Sequence, residues 1–292
     1  MTGTPGALMP PRRRLSSSEH GEGPYVWRFS RLDRTLHLMV IVSFYALLVT
    51  GIPLLFAHSR WAQSAIGLLG GVETAGLIHR LGAILTFTYL FLHLGAILTG
   101  ALRAPDRRSY FLGPNSMIPN AKDWRDLKQM FRYFRGKADI PRFDRFSYME
   151  KFEYWGVFWG VAIMGLSGLL MWFPEFFAQF IPGWGFNVAT ILHGREALLA
   201  LGVIFTIHFY NINLRPEKFP LDVVIFTGRA TVGYMKEEHP LEYERLVSEG
   251  RLESRIAPET PESAYRGWAL LGFMALAIGM FLVLFVVVAA LA

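Results

Sequence analysis

The stretch Leu77–Thr99, LIHRLGAILTFTYLFLHLGAILT, decides the architecture of this 292-residue chain. Its only formal charge is Arg80. As a helix rising about 1.5 Å per residue, it is long enough to cross the roughly 30 Å hydrocarbon core of a bilayer. Four more runs have the same character, at 36–56, 152–172, 189–210 and 267–290. The last holds no ionisable residue beyond Trp268 and reads as a lipid-facing anchor. The other four carry His, Gly, Tyr or Trp and have something to pack around. The expectation is an all-α integral membrane protein: a four-helix transmembrane bundle plus a fifth, C-terminal transmembrane helix.

Composition agrees. Hydrophobic residues make up 52% of the chain and charged residues 18%, with a mean hydropathy of +0.31, whereas a soluble domain carries about 25% charged residues. There is no cysteine. Disulfides, thiolate-bound zinc, iron–sulfur clusters and thioether-attached haem are therefore excluded, and any metal falls to His, Met or carboxylates. The first 24 residues are polar and rich in Pro, Gly, Ser and Arg, without a short apolar core. They read as a disordered cytoplasmic tail rather than a signal peptide.

Positive charge predicts the orientation. Six Arg precede the first span, twelve Lys or Arg lie in 100–151, and eight lie in 211–266. The connection 57–76 has only Arg60, and 173–188 has none. This places the N-terminus in the cytoplasm and the C-terminus outside. It also accounts for the net charge of +6 without invoking nucleic acid. Within 120–135, Trp124, Leu127, Phe131 and Phe134 share one helical face while Lys122, Arg125, Lys128, Arg132 and Arg135 cover the rest, the pattern of a helix lying on the inner leaflet. The proline-rich segment 211–266 reads as mostly loop, with one charged helix around Glu242–Leu252. The organisation is then a tail (1–24), a transmembrane domain (25–235), a charged cytoplasmic segment (236–266) and an anchor helix (267–292).

The histidines carry the chemistry. His20, His58 and His239 fall outside the spans and read as solvated. His37, His79, His93, His193 and His208 fall inside them, where an unpaired imidazole is costly and marks function. His79 and His93 are fourteen residues apart on the second span, and His193 and His208 are fifteen apart on the fourth. Each pair returns to nearly one helix face, separated by roughly 21–22 Å. Both spans run from outside to inside, so His79 is level with His193 and His93 with His208. Two such pairs, each able to clamp a flat macrocycle, suit two bis-imidazole b-type haems. Their iron has no open position, so they move electrons and make no bonds. Arg80 and Arg195 stand where guanidinium groups could meet haem propionates. Gly82, Gly95, Gly194 and Gly202 supply small side chains for close approach. His37, preceded by Arg34, is a third histidine for two inner axial positions: an alternative ligand, a further haem ligand, or part of a quinone pocket with Tyr45, Arg34 and Asp33.

Particular stretches carry a resemblance. Arg28-Phe-Ser-Arg-Leu-Asp-Arg-Thr-Leu-His37 with Leu47-Leu-Val-Thr-Gly-Ile-Pro53, Glu150-Lys-Phe-Glu-Tyr-Trp155, Gly165-Leu-Ser-Gly-Leu-Leu-Met-Trp172, and His193…His208 followed by Arg215-Pro-Glu-Lys218 and Ile225-Phe-Thr-Gly228 resemble the membrane cytochrome b subunit of formate dehydrogenase, nickel–iron hydrogenase and thiosulfate reductase. The resemblance covers roughly 25–235. It implies a four-helix bundle holding two non-covalent b haems, with quinone or menaquinone exchanging beside the haem nearer the cytoplasm. It further implies a prokaryotic inner membrane, and an iron–sulfur or multihaem c-type partner subunit on the outer face. In the formate dehydrogenase type the outer haem uses the positions of His79 and His193, and the inner haem those of His37 and His208. This sequence departs by also carrying His93, and its 14/15 spacing is closer to the cytochrome b6 arrangement, which favours His93 over His37 as partner of His208. The chain itself would hold no catalytic residue. Two other readings compete: a transition-metal transporter using intramembrane His, which requires carboxylates beside them and finds only Glu196, and a passive membrane anchor.

Overall fold

A computed structural model describes residues 22–291; the tail expected over 1–24 lies almost wholly outside the described residues. Five helices are long and apolar enough to cross a membrane: α1 (Arg31–Leu55), α2 (Val72–Arg103), α3 (Tyr148–Trp172), α4 (Gly183–Val203) and α5 (Glu262–Leu291). Each includes polar residues beyond the apolar run that announces it, because helical hydrogen bonding continues wherever a cap permits. The start of α1 illustrates this. Ser30 accepts from the Asp33 backbone N–H at 3.1 Å, and the Asp33 carboxylate accepts from the Ser30 N–H at 2.9 Å, a reciprocal box that satisfies two otherwise orphaned donors. The short helix Arg60–Leu68 occupies part of the connection after α1.

Helix α4 does not stop at Val203. It continues through two π-helical turns, Ile204–His208 and Tyr210–Leu214. Such wide turns are rare and collect at functional sites. The best-buried apolar cluster lies here: Leu48 and Ile52 from α1, Leu201, Phe205 and Phe209 from α4 and its π turns, and Leu282 from α5. Tyr45 donates its hydroxyl to the Ala275 carbonyl of α5 at 2.7 Å. The closest long packing is α1 along α2. Gly82 permits it, since a Cβ there would lie 3.0 Å from Leu47 Cγ. All of these contacts fall in one compact unit, formed by 27–105, 153–229 and 259–292.

A second unit comprises 22–26, 106–152 and 230–258 among the described residues. Strands β1 (Tyr25–Trp27), β2 (Arg229–Thr231) and β3 (Ile256–Ala257) form a small sheet in the order β2-β1-β3, with Tyr25 opposite Ala257. A helix over Ala121–Phe134 matches the expected 120–135, and Trp124, Phe131 and Phe134 are exposed on it. The segment 211–266 is more ordered than its prolines suggest, with helices Val232–Glu238 and Pro240–Ser248. Partners distant in sequence supply that order. Glu242, only 1% exposed, pairs with Arg145 at 2.8 Å, and Arg245 pairs with Asp144 at 2.7 Å. Lys151 pairs with Asp123 at 2.9 Å, and Lys122 pairs with Asp126, whose carboxyl is pushed up by burial. His239, expected to be solvated, is 3% exposed and hydrogen-bonded through Nδ1 to the Asp144 carbonyl at 2.8 Å.

The close approach of α5 to the π turns gives a direct test. A Cβ at Gly279 would lie 1.7 Å from Cε1 of the buried Phe205, so Gly279→Ala is expected to cost about 1–3 kcal/mol as overpacking. Gly267→Ala meets nothing within 4 Å and is expected to be neutral or stabilising. Thermal midpoints in detergent compare the two.

Candidate functional site

His79 on α2 and His193 on α4 face one another, with ring centres 6.2 Å apart and ring planes at 56°. Each ring is held from behind by a hydroxyl. Thr50 Oγ1 of α1 lies 2.9 Å from His79 Nδ1, and Ser167 Oγ of α3 lies 3.0 Å from His193 Nδ1. Four helices therefore converge on one pair of imidazoles, two supplying rings and two supplying braces. The spacing between the rings fits a shared metal. A metal–imidazole bond of about 2.0–2.1 Å, plus about 1.1 Å from that nitrogen to its ring centre, puts two trans imidazoles about 6.2–6.4 Å apart. Among the described residues, no group of three or more His, Asp or Glu side chains converges as a metal-ion site. The pair alone thus suits a group that brings its own equatorial ligands, as haem iron does.

The flanking guanidinium groups differ. Arg80 stands over the Trp172 ring with its Cζ 5.7 Å from the ring centre, and both Arg80 and Arg195 are exposed. Of the glycines read as room for a macrocycle, Gly82 and Gly194 instead seat helix neighbours, Leu47 and Leu55, while Gly95 and Gly202 face open space.

The three remaining intramembrane histidines separate. His208 lies in the first π turn, and its Nδ1 is 2.8 Å from Glu153 Oε2. Asn211 donates to the other oxygen of the same carboxylate at 2.8 Å. His37 meets the edge of Phe226 at 5.6 Å, and Phe226 stacks on Trp268 at 4.8 Å. His93 turns elsewhere: its Nε2 is 2.8 Å from the Tyr154 hydroxyl, and its ring packs on Phe158 at 5.8 Å. Spacing had favoured His93 as the neighbour of His208. In this structure His93 is engaged by Tyr154 and His208 by Glu153.

Three of the four residues expected around a quinone already have partners. The Asp33 carboxylate caps α1, Arg34 Nε donates to the Phe226 carbonyl at 2.7 Å, and Tyr45 bonds to Ala275. The expectation that Glu196 is the one carboxylate near these histidines fails at Glu153. Glu153 begins the apolar part of α3 and was read from sequence only within a family-like stretch. Thr50 and Ser167 were missed in the same way. The signal that could have found them is a shared pattern, Leu47-x-x-Thr50-Gly51 and Met164-x-x-Ser167-Gly168.

No family model matches the chain. Among curated proteins, the formate dehydrogenase cytochrome b556 subunit of Haemophilus influenzae is 22% identical over 240 residues, covering 80% of this chain and 88% of that protein. The chain is a distant relative of the formate dehydrogenase cytochrome b556 subunits. The nitrate-inducible cytochrome b556(Fdn) subunit of Escherichia coli K12 is 21% identical over 183 residues, covering 61% of this chain and 73% of its own length. With five candidate spans and cytochrome b556 relatives, this is a multi-pass membrane protein.

Glu153 is the polar anchor of the His208 end. Glu153→Ala leaves His208 Nδ1 and the Asn211 amide without their acceptor, an expected loss of about 1–3 kcal/mol. Arg266→Ala breaks only an exposed pair with Glu262 and should change stability by about 0.5 kcal/mol or less. Thermal unfolding of the detergent-solubilised protein checks both.

Proposed function

We propose that this chain is a dihaem b-type cytochrome subunit that carries electrons across the membrane between the quinone pool and a partner redox protein. The observation that supports it most directly is the facing pair His79 and His193, at the separation two imidazoles need to share one metal. The names of the relatives point to the same class, since both are cytochrome b556 subunits of formate dehydrogenase. Haem held by two histidines supplies reversible one-electron transfer with no open coordination position.

The residues then divide the work. His79 and His193 hold one haem. His208 holds the second with His37 as its partner, because the Nε2 of His93 is engaged by Tyr154. The Glu153 carboxylate accepts at His208 Nδ1 and fixes that ring's orientation. Arg80 and Arg195, both exposed and next to or near the first pair in sequence, are the cations for propionates there. The aromatic cluster of Phe205 and Phe209, with Phe44 and Tyr45 packed on it, excludes water between α1 and α4. Quinone exchange belongs beside the haem of the His37 and His208 end, an assignment that rests on the family resemblance.

The charge distribution supports an N-terminus in the cytoplasm and a C-terminus outside. Trp124, Phe131 and Phe134, exposed on a helix rich in Lys and Arg, suit the surface of the inner leaflet. The partner is an iron–sulfur or multihaem c-type carrier, an inference that rests on the family resemblance.

The test is the pyridine-haemochrome content of the purified chain, followed by reduction with a quinol analogue. About two non-covalent b haems per chain, reduced by the quinol, are expected. His37→Ala should lose one haem and His93→Ala should keep both. No haem in the wild type, or none that quinol reduces, would overturn the proposal. Retention of both haems in His37→Ala with loss in His93→Ala would reassign the second site.

A further inference from the structure

The braces behind His79 and His193 are the same device built twice. On α1, Thr50 Oγ1 donates its proton to the Ala46 carbonyl at 2.6 Å and presents its oxygen to His79 Nδ1 at 2.9 Å. On α3, Ser167 Oγ donates to the Ile163 carbonyl at 2.6 Å and presents its oxygen to His193 Nδ1 at 3.0 Å. A hydroxyl has one proton to give. With that proton committed to a carbonyl four residues back, the oxygen can only accept, so the histidine Nδ1 must carry the hydrogen. The carbonyls three residues before each hydroxyl, Leu47 and Met164, lie 3.2 and 3.4 Å from the same hydroxyl oxygens as second acceptors for that one proton.

The glycine after each hydroxyl completes the repeat. A Cβ on Gly51 would lie 3.2 Å from His79 Cε1, and one on Gly168 would lie 3.3 Å from His193 Cε1. Each imidazole therefore has its edge against a bare backbone and its Nδ1 on an acceptor. In that tautomer Nε2 of each ring carries the free lone pair.

We propose that Thr50 and Ser167 are paired positioning residues that lock His79 and His193 in the Nδ1–H tautomer and tune the potential of the metal they share. This rests on the dihaem reading above. The physical reason is that an acceptor at Nδ1 makes the imidazole a stronger electron donor through Nε2. A stronger donor favours ferric over ferrous iron, so removing the acceptor raises the midpoint potential of that haem. The second haem has a carboxylate behind His208 in place of a hydroxyl and stays unchanged.

The experiment is a redox titration of purified Thr50→Val, Ser167→Ala and the double variant, with haem content measured alongside. Thr50→Ser and Ser167→Thr serve as conservative controls. The expected result is an upward shift in the midpoint of one haem, larger in the double variant, with the other haem fixed and the conservative variants close to wild type. Retention of the affected haem should weaken by about tenfold. Complete loss of that haem in the Val and Ala variants, with retention in the conservative ones, gives the same answer. Two bound haems with both midpoints unchanged in the double variant would overturn the positioning role and leave the dihaem reading intact. Loss of haem in the conservative variants too would overturn it in favour of a packing role. Absence of haem from the wild type would overturn both.

Discussion

An imidazole inside a hydrocarbon layer must be satisfied on both nitrogens. An unpaired polar group there costs several kcal/mol, and no water is available to offset it. At His79 and His193 this constraint organises four helices at once. The Nδ1 atoms are met by hydroxyls on α1 and α3, and the rings face each other across the space between α2 and α4. Neither helix of such a pair can rotate without stranding a nitrogen. The register of the bundle is therefore fixed by polar chemistry at a few points, while apolar packing supplies bulk adhesion around them.

The other end of the bundle solves the same problem differently. His208 is satisfied by the Glu153 carboxylate, which Asn211 also holds. His93 is satisfied by Tyr154. His208 lies in the first of the π turns over Ile204–His208 and Tyr210–Leu214. The rest of that region is packed to support the wide turns, with Phe205 lying against Gly279 and the aromatic cluster between α1 and α5. One end of the bundle is thus held by neutral hydroxyls and the other by a charged group. Two cofactor sites built on those ends would differ in potential for that reason.

The five spans were legible because apolar length is a local property of sequence, and the pairing of His79 with His193 followed from helical periodicity along two straight helices. What could not be read depended on departures from ideal geometry or on partners far away in the chain. The engagement of His93 by Tyr154 and of His208 by Glu153 is not written in helical spacing. The burial of His239 and the order in 211–266 come from ion pairs such as Arg145 with Glu242 and from a sheet whose strands lie at both ends of the chain. Thr50 and Ser167 were visible as residues. Only the structure shows their oxygens meeting a histidine on the next helix.

The central claim is that His79 and His193 hold one metal between them. Its most direct test is the ferric electron paramagnetic resonance spectrum and haem content of His193→Ala beside the wild type. The account predicts that the variant loses one haem together with one low-spin bis-imidazole signal, while the signal of the other haem persists. Full haem content with both signals unchanged would contradict it.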